Sequence, residues 1–545
     1  MASADGESAV KADSRSVLIT QIVLSFSFVT FLLFPNFSAQ WGLIDDHEIM
    51  AFLGTRKDLS FREIPGLLMK TEAGRPGDGV RYRPTYYLLR LVETAVWSKT
   101  PSLWYAFRIF ILGIWTLITW RLLGRFLGTI MGGLCCLLLL SHRFWADVLC
   151  QLGPAEAYCV VPLALFFLGF VELWRHKRPK ADSLWWGILV SSAVIAVGAK
   201  ENFLFLLPIS AALFAHVWRR NRPGSFSIFL NGLLVAFGLF ITIAVILGLR
   251  KHGADVYLNP VDLSHRLQVL KSGVLPFTHW KIQLPFWISL VLLVVSATYR
   301  KSRPNSERVG GTFRELKRLF WIQSALLSLW YLQFVFYNGA WPNGTRYDFP
   351  GVLASDLAYL VLLSSPIRIL RLYPESRSPR HCAYAMLAGF LIFLIVQSGF
   401  KELRFINDAS RLNRETTRIF TQSLLRIVEE VRRDPGVPII FESHRAWDLE
   451  PVYSLRRFLS AYGVSNPLFL KLEGWSEKAC QPGLEVTLAR ALQRYSEGGV
   501  PEDDGLLTHQ NRFYPIREFP QGGACSVISF SGDSTLACRN LGRIW

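Results

Sequence analysis

For its first 400 residues the chain alternates between long apolar stretches and short charged ones, and then the alternation stops. A membrane-crossing helix needs about 20 largely apolar residues. Eleven segments come close, at roughly 17–37, 102–120, 126–141, 156–174, 184–199, 202–218, 226–249, 285–299, 319–337, 349–365 and 382–400. The first exceeds the apolar core of a signal peptide, about 7–15 residues, and reads as an uncleaved anchor. Four basic loops separate later segments: Arg175 to Lys180, Arg219 to Arg222, Arg300 to Arg318 and Arg368 to Arg380. Simple alternation puts all four on one side, which the positive-inside rule assigns to the cytoplasm. The N-terminus is then cytoplasmic and the C-terminus outside.

The segment 84–97, PTYYLLRLVETAVW, tests this topology. As a span it would reverse every later loop. It would also set Arg90 and Glu93 at membrane depth, at roughly 3 kcal/mol each. It reads instead as an amphipathic surface helix in a long first external loop, 38–101, with a second at 58–69. Beyond residue 400 the pattern becomes mixed. It predicts an amphipathic helix over 409–433 capped by Asp408, strands at 437–443 and 467–472, and helices at 450–462 and 485–497. A hairpin is expected at Ser531-Gly532-Asp533. Cys525 and Cys538 are placed to pair across it in an oxidising compartment, with Cys480 as a rival partner. The fold class is therefore a polytopic α-helical membrane protein of about eleven transmembrane helices (1–400), followed by an extracytoplasmic α/β domain (401–545).

Composition agrees. Hydrophobic residues make up 51% and charged residues 18% of the 545. A soluble protein is nearer 25% charged. The net charge of +18 would point to nucleic acid in a soluble chain. Here the basic loops account for much of it, so no nucleic-acid partner is expected. Eight cysteines form no C-x-x-C pair, which removes zinc ribbons and thioredoxin-like sites. No P-loop, G-x-G-x-x-G or H-E-x-x-H occurs. No internal repeat is visible, which disfavours a secondary transporter.

The polar clusters all fall at outer span ends. Asp45-Asp46-His47-Glu48 follows the first span. Adjacent carboxylates at a membrane surface repel, and a raised pKa or a cationic partner that relieves this suits acid/base work. The plain alternative is a solvated loop start. Four consecutive residues do not readily face one ion, so a divalent metal is conceivable without support. Arg81-Tyr82-Arg83-Pro84 with Tyr86 offers guanidinium forks for phosphate, or an interfacial belt. Lys200-Glu201-Asn202 offers a lysine to a lipid phosphate, or a self-satisfied ion pair. Gly344 to Pro350 contains Arg346 and Tyr347, a second clamp or a snorkelling arginine. Asp147 and Glu156, flanking Gln151 to Pro154, offer hydrogen bonds to acceptor hydroxyls, or simply mark a solvated loop. His265, in the loop 250–284, is a weaker candidate for substrate binding.

In their order and sidedness these motifs resemble the GT-C glycosyltransferases, of the protein O-mannosyltransferase and aminoarabinose transferase type. The acid pair matches Asp45-Asp46, the R-x-R-P stretch matches Arg81 to Pro84, and the late R-Y-x-x-P signal matches Arg346 to Pro350. The likeness covers residues 17–365, and Asp-Asp replaces the more usual Asp-Glu. It implies an enzyme that moves a sugar from a polyprenyl-phosphate donor to an acceptor hydroxyl outside the cytoplasm, with inversion. Asp45 or Asp46 would be the base. Arg81, Arg83, Lys200 and Arg346 would hold the phosphate. Glu48, Tyr86, Glu201, Tyr347 and His265 would bind substrate. The implied partners are the lipid-linked sugar, membrane lipids, and a glycan, lipid or protein acceptor. Short loops and the lack of a retention signal favour a bacterial inner membrane. A lipid flippase or transporter, or a non-catalytic scaffold, is the competing expectation.

Overall fold

A computed structural model describes residues 4–78, 81–175, 179–220, 224–252, 263–274, 280–302, 306–370, 377–445, 448–472, 490–494, 496–497, 513–519 and 525–529. Among the described residues, seven helical stretches are long and apolar enough to cross a membrane: Arg15–Ser38, Pro101–Leu127, Ala157–Trp174, Glu201–Arg219, Ser225–Lys251, Ile282–Ser302 and His381–Arg433. Three shorter apolar helices join them, Thr129–Leu140, Ser183–Ala199 and Gly351–Ile367. Together these ten coincide with ten of the eleven expected spans. The eleventh, 319–337, lies in the helix Glu307–Tyr331 and the wider π-turns Leu332–Asn338 that follow it. Six charged residues in its first half, from Glu307 to Arg318, keep this helix out of the apolar set.

The expected break near residue 400 is not a break in the backbone. Helix Arg377–Leu394 passes through π-turns Ile395–Gly399 into the 34-residue helix Phe400–Arg433. Asp408 is therefore interior to a helix, not its cap. The switch from apolar to amphipathic sequence changes what surrounds the helix, not its path.

Helix Phe400–Arg433 leads to a four-stranded parallel sheet, among the described residues, in the order β3-β2-β1-β4: β1 Ile439–Ser443, β2 Leu468–Leu472, β3 Phe513–Tyr514 and β4 Ser526–Ser529. Ile439 pairs with Leu468 on one side and Ser526 on the other. Apolar runs such as IIF and LFL suit strands covered on both faces. Helix Leu449–Ala461 follows β1. Of the expected helix 485–497, residues 490–494 and 496 are helical among the described positions. The hairpin at 531–533, Cys480 and Cys538 lie outside the described residues. Cys525 is buried.

Two large cores organise the molecule. One lies among the membrane helices and includes Trp115, Trp145, Trp186 and Phe166. The other joins the first loop to the C-terminal domain. In it Trp41, Ile49, Phe52 and Leu91 share a cluster with Phe420, Leu424, Phe441 and Phe458. The first loop is thus built on helices Phe400–Arg433 and Leu449–Ala461 and the sheet as much as on the membrane helices.

Candidate active site

The acid pair sits where the chain turns sharply. Asp46 N–H bonds back to Ile44 O at 2.8 Å, closing a three-residue turn with Asp45 at its apex and φ at 68°. Such a positive φ is uncommon outside glycine, though Asp tolerates it better than most residues. Backbone strain of this kind persists where the surroundings enforce it. Here Gly153 leaves the room, since a Cβ on it would lie 2.0 Å from Asp45 Cβ.

The turn sends the two carboxylates in different directions. Asp45 keeps 28% of its side-chain surface and faces Arg346, with Oδ2 at 3.5 Å from Nη1. Asp46 keeps 2% and accepts the Gly42 N–H at 2.7 Å. Burial raises the Asp46 pKa to about 7, against the pull of the Gly42 hydrogen bond and Arg90. Glu48, on the short helix His47–Leu53, accepts the Tyr86 hydroxyl at 2.8 Å, and burial raises its pKa too. His47 is buried, and burial with nearby arginines holds its pKa well below the usual value.

Helix Pro84–Trp97 supplies the floor. Pro84 opens it at a position where its missing N–H costs nothing. Contrary to the surface-helix expectation, Arg90 and Glu93 are buried. Glu93 meets Arg108 at 3.3 Å and the Tyr158 hydroxyl, and Arg90 donates to Leu152 O at 2.5 Å. Arg90 also lies over the Tyr86 and Trp104 rings. The charges that were too costly for lipid have found partners inside the protein.

The four nominated cations differ in what they hold. Arg83 grips Glu201 with Nε at 3.1 and 3.2 Å from its two oxygens. Lys200 is buried against Glu156 and lies 4.8 Å from the Tyr347 ring centre. Burial works to raise the Glu156 pKa, but Lys200 and Arg346 outweigh it and hold the value below usual. Arg81 is half-buried, and its charge acts on Glu450. Arg346 is partly exposed, stacked 5.4 Å from the Tyr347 ring centre, and its N–H donates to Asp147 at 3.3 Å. A part-exposed pair at 3.5 Å contributes little, about 0.2–1 kcal/mol. Arg346, whose Asp45 partner is part-exposed, is therefore better placed to meet an incoming anion than Arg83 or Lys200, whose carboxylate partners are buried.

Loops that alternation places on one side do meet at one end of the bundle. Asp45 reaches Arg346, Arg83 reaches Glu201, and Lys251 reaches Asp78 at 3.1 Å. His265 Nε2 lies 3.1 Å from Gly339 O, and no described contact brings it to the acid pair. Below this cluster an apolar cavity of about 290 Å³ lies between membrane helices, lined by Trp115, Leu163, Phe167, Leu326 and Leu357. Its wall includes Gln333 and Pro350, and Gln333 Nε2 donates to Tyr347 O at 3.0 Å. Charged cluster and apolar cavity are thus joined through the 346–350 segment.

Sequence reasoning passed over three contributors: Gly153, Arg90 and Glu450. Glu450 opens helix Leu449–Ala461, and burial together with Asp45 pushes its pKa up to about 7. The dipeptide Gly153-Pro154 was a visible turn signal, but nothing local tied it to Asp45. Among the described residues, no group of three or more His, Cys, Asp or Glu is placed to hold a metal ion.

No family model and no curated protein matches the chain. Two solved structures of ArnT from Cupriavidus metallidurans are similar in the run of the chain. The one bound to undecaprenyl phosphate is 11% identical with a TM-score of 0.45, over 94% of this chain and 92% of that one. The apo form is 12% identical with a TM-score of 0.42, over 94% and 93%. ArnT is a GT-C aminoarabinose transferase, the class that the sequence motifs resemble.

Proposed function

We propose that the protein is a membrane glycosyltransferase that moves a sugar from a polyprenyl-phosphate donor to an acceptor hydroxyl on the extracytoplasmic side. The observation that carries this reading is the meeting of Asp45 with Arg346 across 301 residues of sequence, next to an apolar cavity among the membrane helices. The base and the phosphate clamp of the resembled motifs come together where a lipid-borne phosphate has access.

The chemistry follows from that placement. Arg346 takes the donor phosphate, and the lipid chain enters the apolar cavity. Phosphate on Arg346 frees Asp45 from its ion pair. The acceptor hydroxyl oxygen attacks the anomeric carbon as Asp45 takes its proton. The bond from that carbon to the phosphate oxygen breaks, and polyprenyl phosphate leaves with the electron pair. One displacement inverts the anomeric centre. Cations held in place for the leaving phosphate lower the barrier without reorganising. Arg83–Glu201 and Lys200–Glu156 keep the cradle rigid, and the bacterial inner membrane, with the N-terminus inside, is the setting that fits.

The geometry supports Asp45 over Asp46 as the base, because only Asp45 combines solvent access with a displaceable cation. Residues 401–545 act as a separate domain in sequence while walling the site. The purified chain is tested with undecaprenyl-phosphate sugar as donor. We expect Asp45→Asn to slow transfer by about 10²–10⁴, the usual contribution of a positioned base. Asp46→Asn is expected to keep more than a tenth of the rate. Equal rates for Asp45→Asn and the unaltered chain would reject the assignment.

A further inference from the structure

The C-terminal sheet has its own functional geometry. Its order β3-β2-β1-β4 changes direction at β1, since β2 and β3 lie on one side and β4 on the other. In open parallel sheets ligands sit outside the carboxyl ends of the strands at such a reversal. At the carboxyl end of β1, Asp448 Oδ2 gathers Ser443 Oγ at 3.1 Å and the N–H groups of His444 and Arg445 at 3.2 Å each. The helix Leu449–Ala461 starts immediately afterwards.

That helix is fastened to the acid pair's own helix. Ser454 Oγ hydrogen-bonds His47 Nδ1 at 2.7 Å, and the Tyr453 ring meets the His47 ring edge-on at 5.5 Å. Residues 450, 453 and 454 are spaced i, i+3, i+4 and share one helix face. Glu450 therefore lies one turn before the His47 contact, on the same face. Asp45, Arg346, Glu48 and Arg81 are the charged groups that act on it, so it borders the place where base and clamp meet. Its side chain keeps a solvent-facing edge, although the protein packed around its carboxyl group is dense enough to raise its pKa. No step of the transfer chemistry above uses it.

We propose that Glu450 binds the acceptor, so that the acceptor wall of the transfer site belongs to the C-terminal domain. A carboxylate accepts hydrogen bonds from two neighbouring hydroxyls, which selects a hydroxyl-rich acceptor of the glycan class. Glu450 orients that acceptor, and the proton still goes to Asp45. The inference rests on the glycosyltransferase reading.

The test uses the full chain in lipid nanodiscs, undecaprenyl-phosphate hexose as donor, and a panel of methyl glycosides as acceptor probes. Water is the competing acceptor, read as free hexose. With Glu450→Gln we expect the glycoside KM to rise about tenfold, in line with loss of a charged hydrogen bond. Donor KM and the rate of hydrolysis stay as they were. Glu450→Asp recovers part of the loss, which a merely structural role would not produce. An unchanged glycoside KM in Glu450→Gln overturns the inference, and so does an equal fall in transfer and hydrolysis. Donor cleavage by the unaltered chain with no transfer to any glycoside overturns the hydroxyl-rich acceptor. No donor cleavage at all removes the glycosyltransferase reading, and this assignment with it.

Discussion

Asp45 and Asp46 are the same residue type in adjacent positions, and the backbone turn gives them different surroundings. The turn at Ile44–Asp46 exposes one carboxylate to Arg346 and seals the other against Gly42. The division depends on Gly153. Gly153→Ala places a methyl group inside Asp45, so we expect a loss of about 1–3 kcal/mol in stability, as for other overpacked sites. A fall in transfer as large as that of Asp45→Asn should accompany it. Thermal unfolding and turnover measured on one preparation check both. The buried carboxylate makes a separate prediction. The folded chain binds the Asp46 proton more tightly than the unfolded chain, because the pKa rises from 3.8 to about 7. Its burial is therefore tolerated best below pH 3.8, and stability is lost as pH climbs through about 7. Asn keeps an acceptor for Gly42 without the charge. Asp46→Asn should gain stability over the unaltered chain progressively between those limits, by up to about 4 kcal/mol above pH 7. A difference in unfolding temperature that does not grow with pH would contradict the buried-carboxylate account. The acid pair itself was legible in the sequence. Which member faces the cleft was not, because a positive φ and a distant glycine decide it.

Helix Pro84–Trp97 shows how far pattern reading carries at the next scale. Its amphipathic pattern predicts a helix, and the chain is helical from Pro84 to Trp97. The polar positions Arg90 and Glu93 were read as solvent-facing. They face inward because Arg108 lies on another helix and Tyr158 on a third, partners that no local pattern reveals. A pair this deeply buried is stable only while both members are present. Arg108→Met alone should cost about 3–5 kcal/mol by stranding Glu93, whereas Arg108→Met combined with Glu93→Leu should recover most of it. Unfolding of the single and double variants in detergent measures the difference. The continuous helix through residue 400 makes the complementary point. Sequence marks where the environment of a helix changes, and a change of environment is compatible with unbroken backbone hydrogen bonds.

The whole molecule couples two layers that composition separates. The alternation of apolar and basic segments made the membrane helices readable, and short apolar runs made β1 and β2 readable, but neither β3 nor the parallel pairing. Their common core was not readable, because it joins Ile49 and Phe52 to residues some 400 positions away, such as Phe458. Burying side chains of that size contributes roughly 1.5–3 kcal/mol each. Removing residues 434–545 would therefore expose the underside of the first loop as well as delete a domain. We expect that truncation to abolish donor cleavage and not merely acceptor use, with protease sensitivity appearing within residues 41–64. By this proposal, this end of the bundle breaks a sugar–phosphate bond. This step is tested most directly by incubating the purified full chain, in proteoliposomes, with undecaprenyl-phosphate hexose labelled in the sugar. The account predicts steady release of undecaprenyl phosphate by the unaltered chain and about 10²–10⁴-fold less with Asp45→Asn. Labelled lipid that crosses the bilayer intact, with no release of undecaprenyl phosphate, would contradict it and identify a flippase.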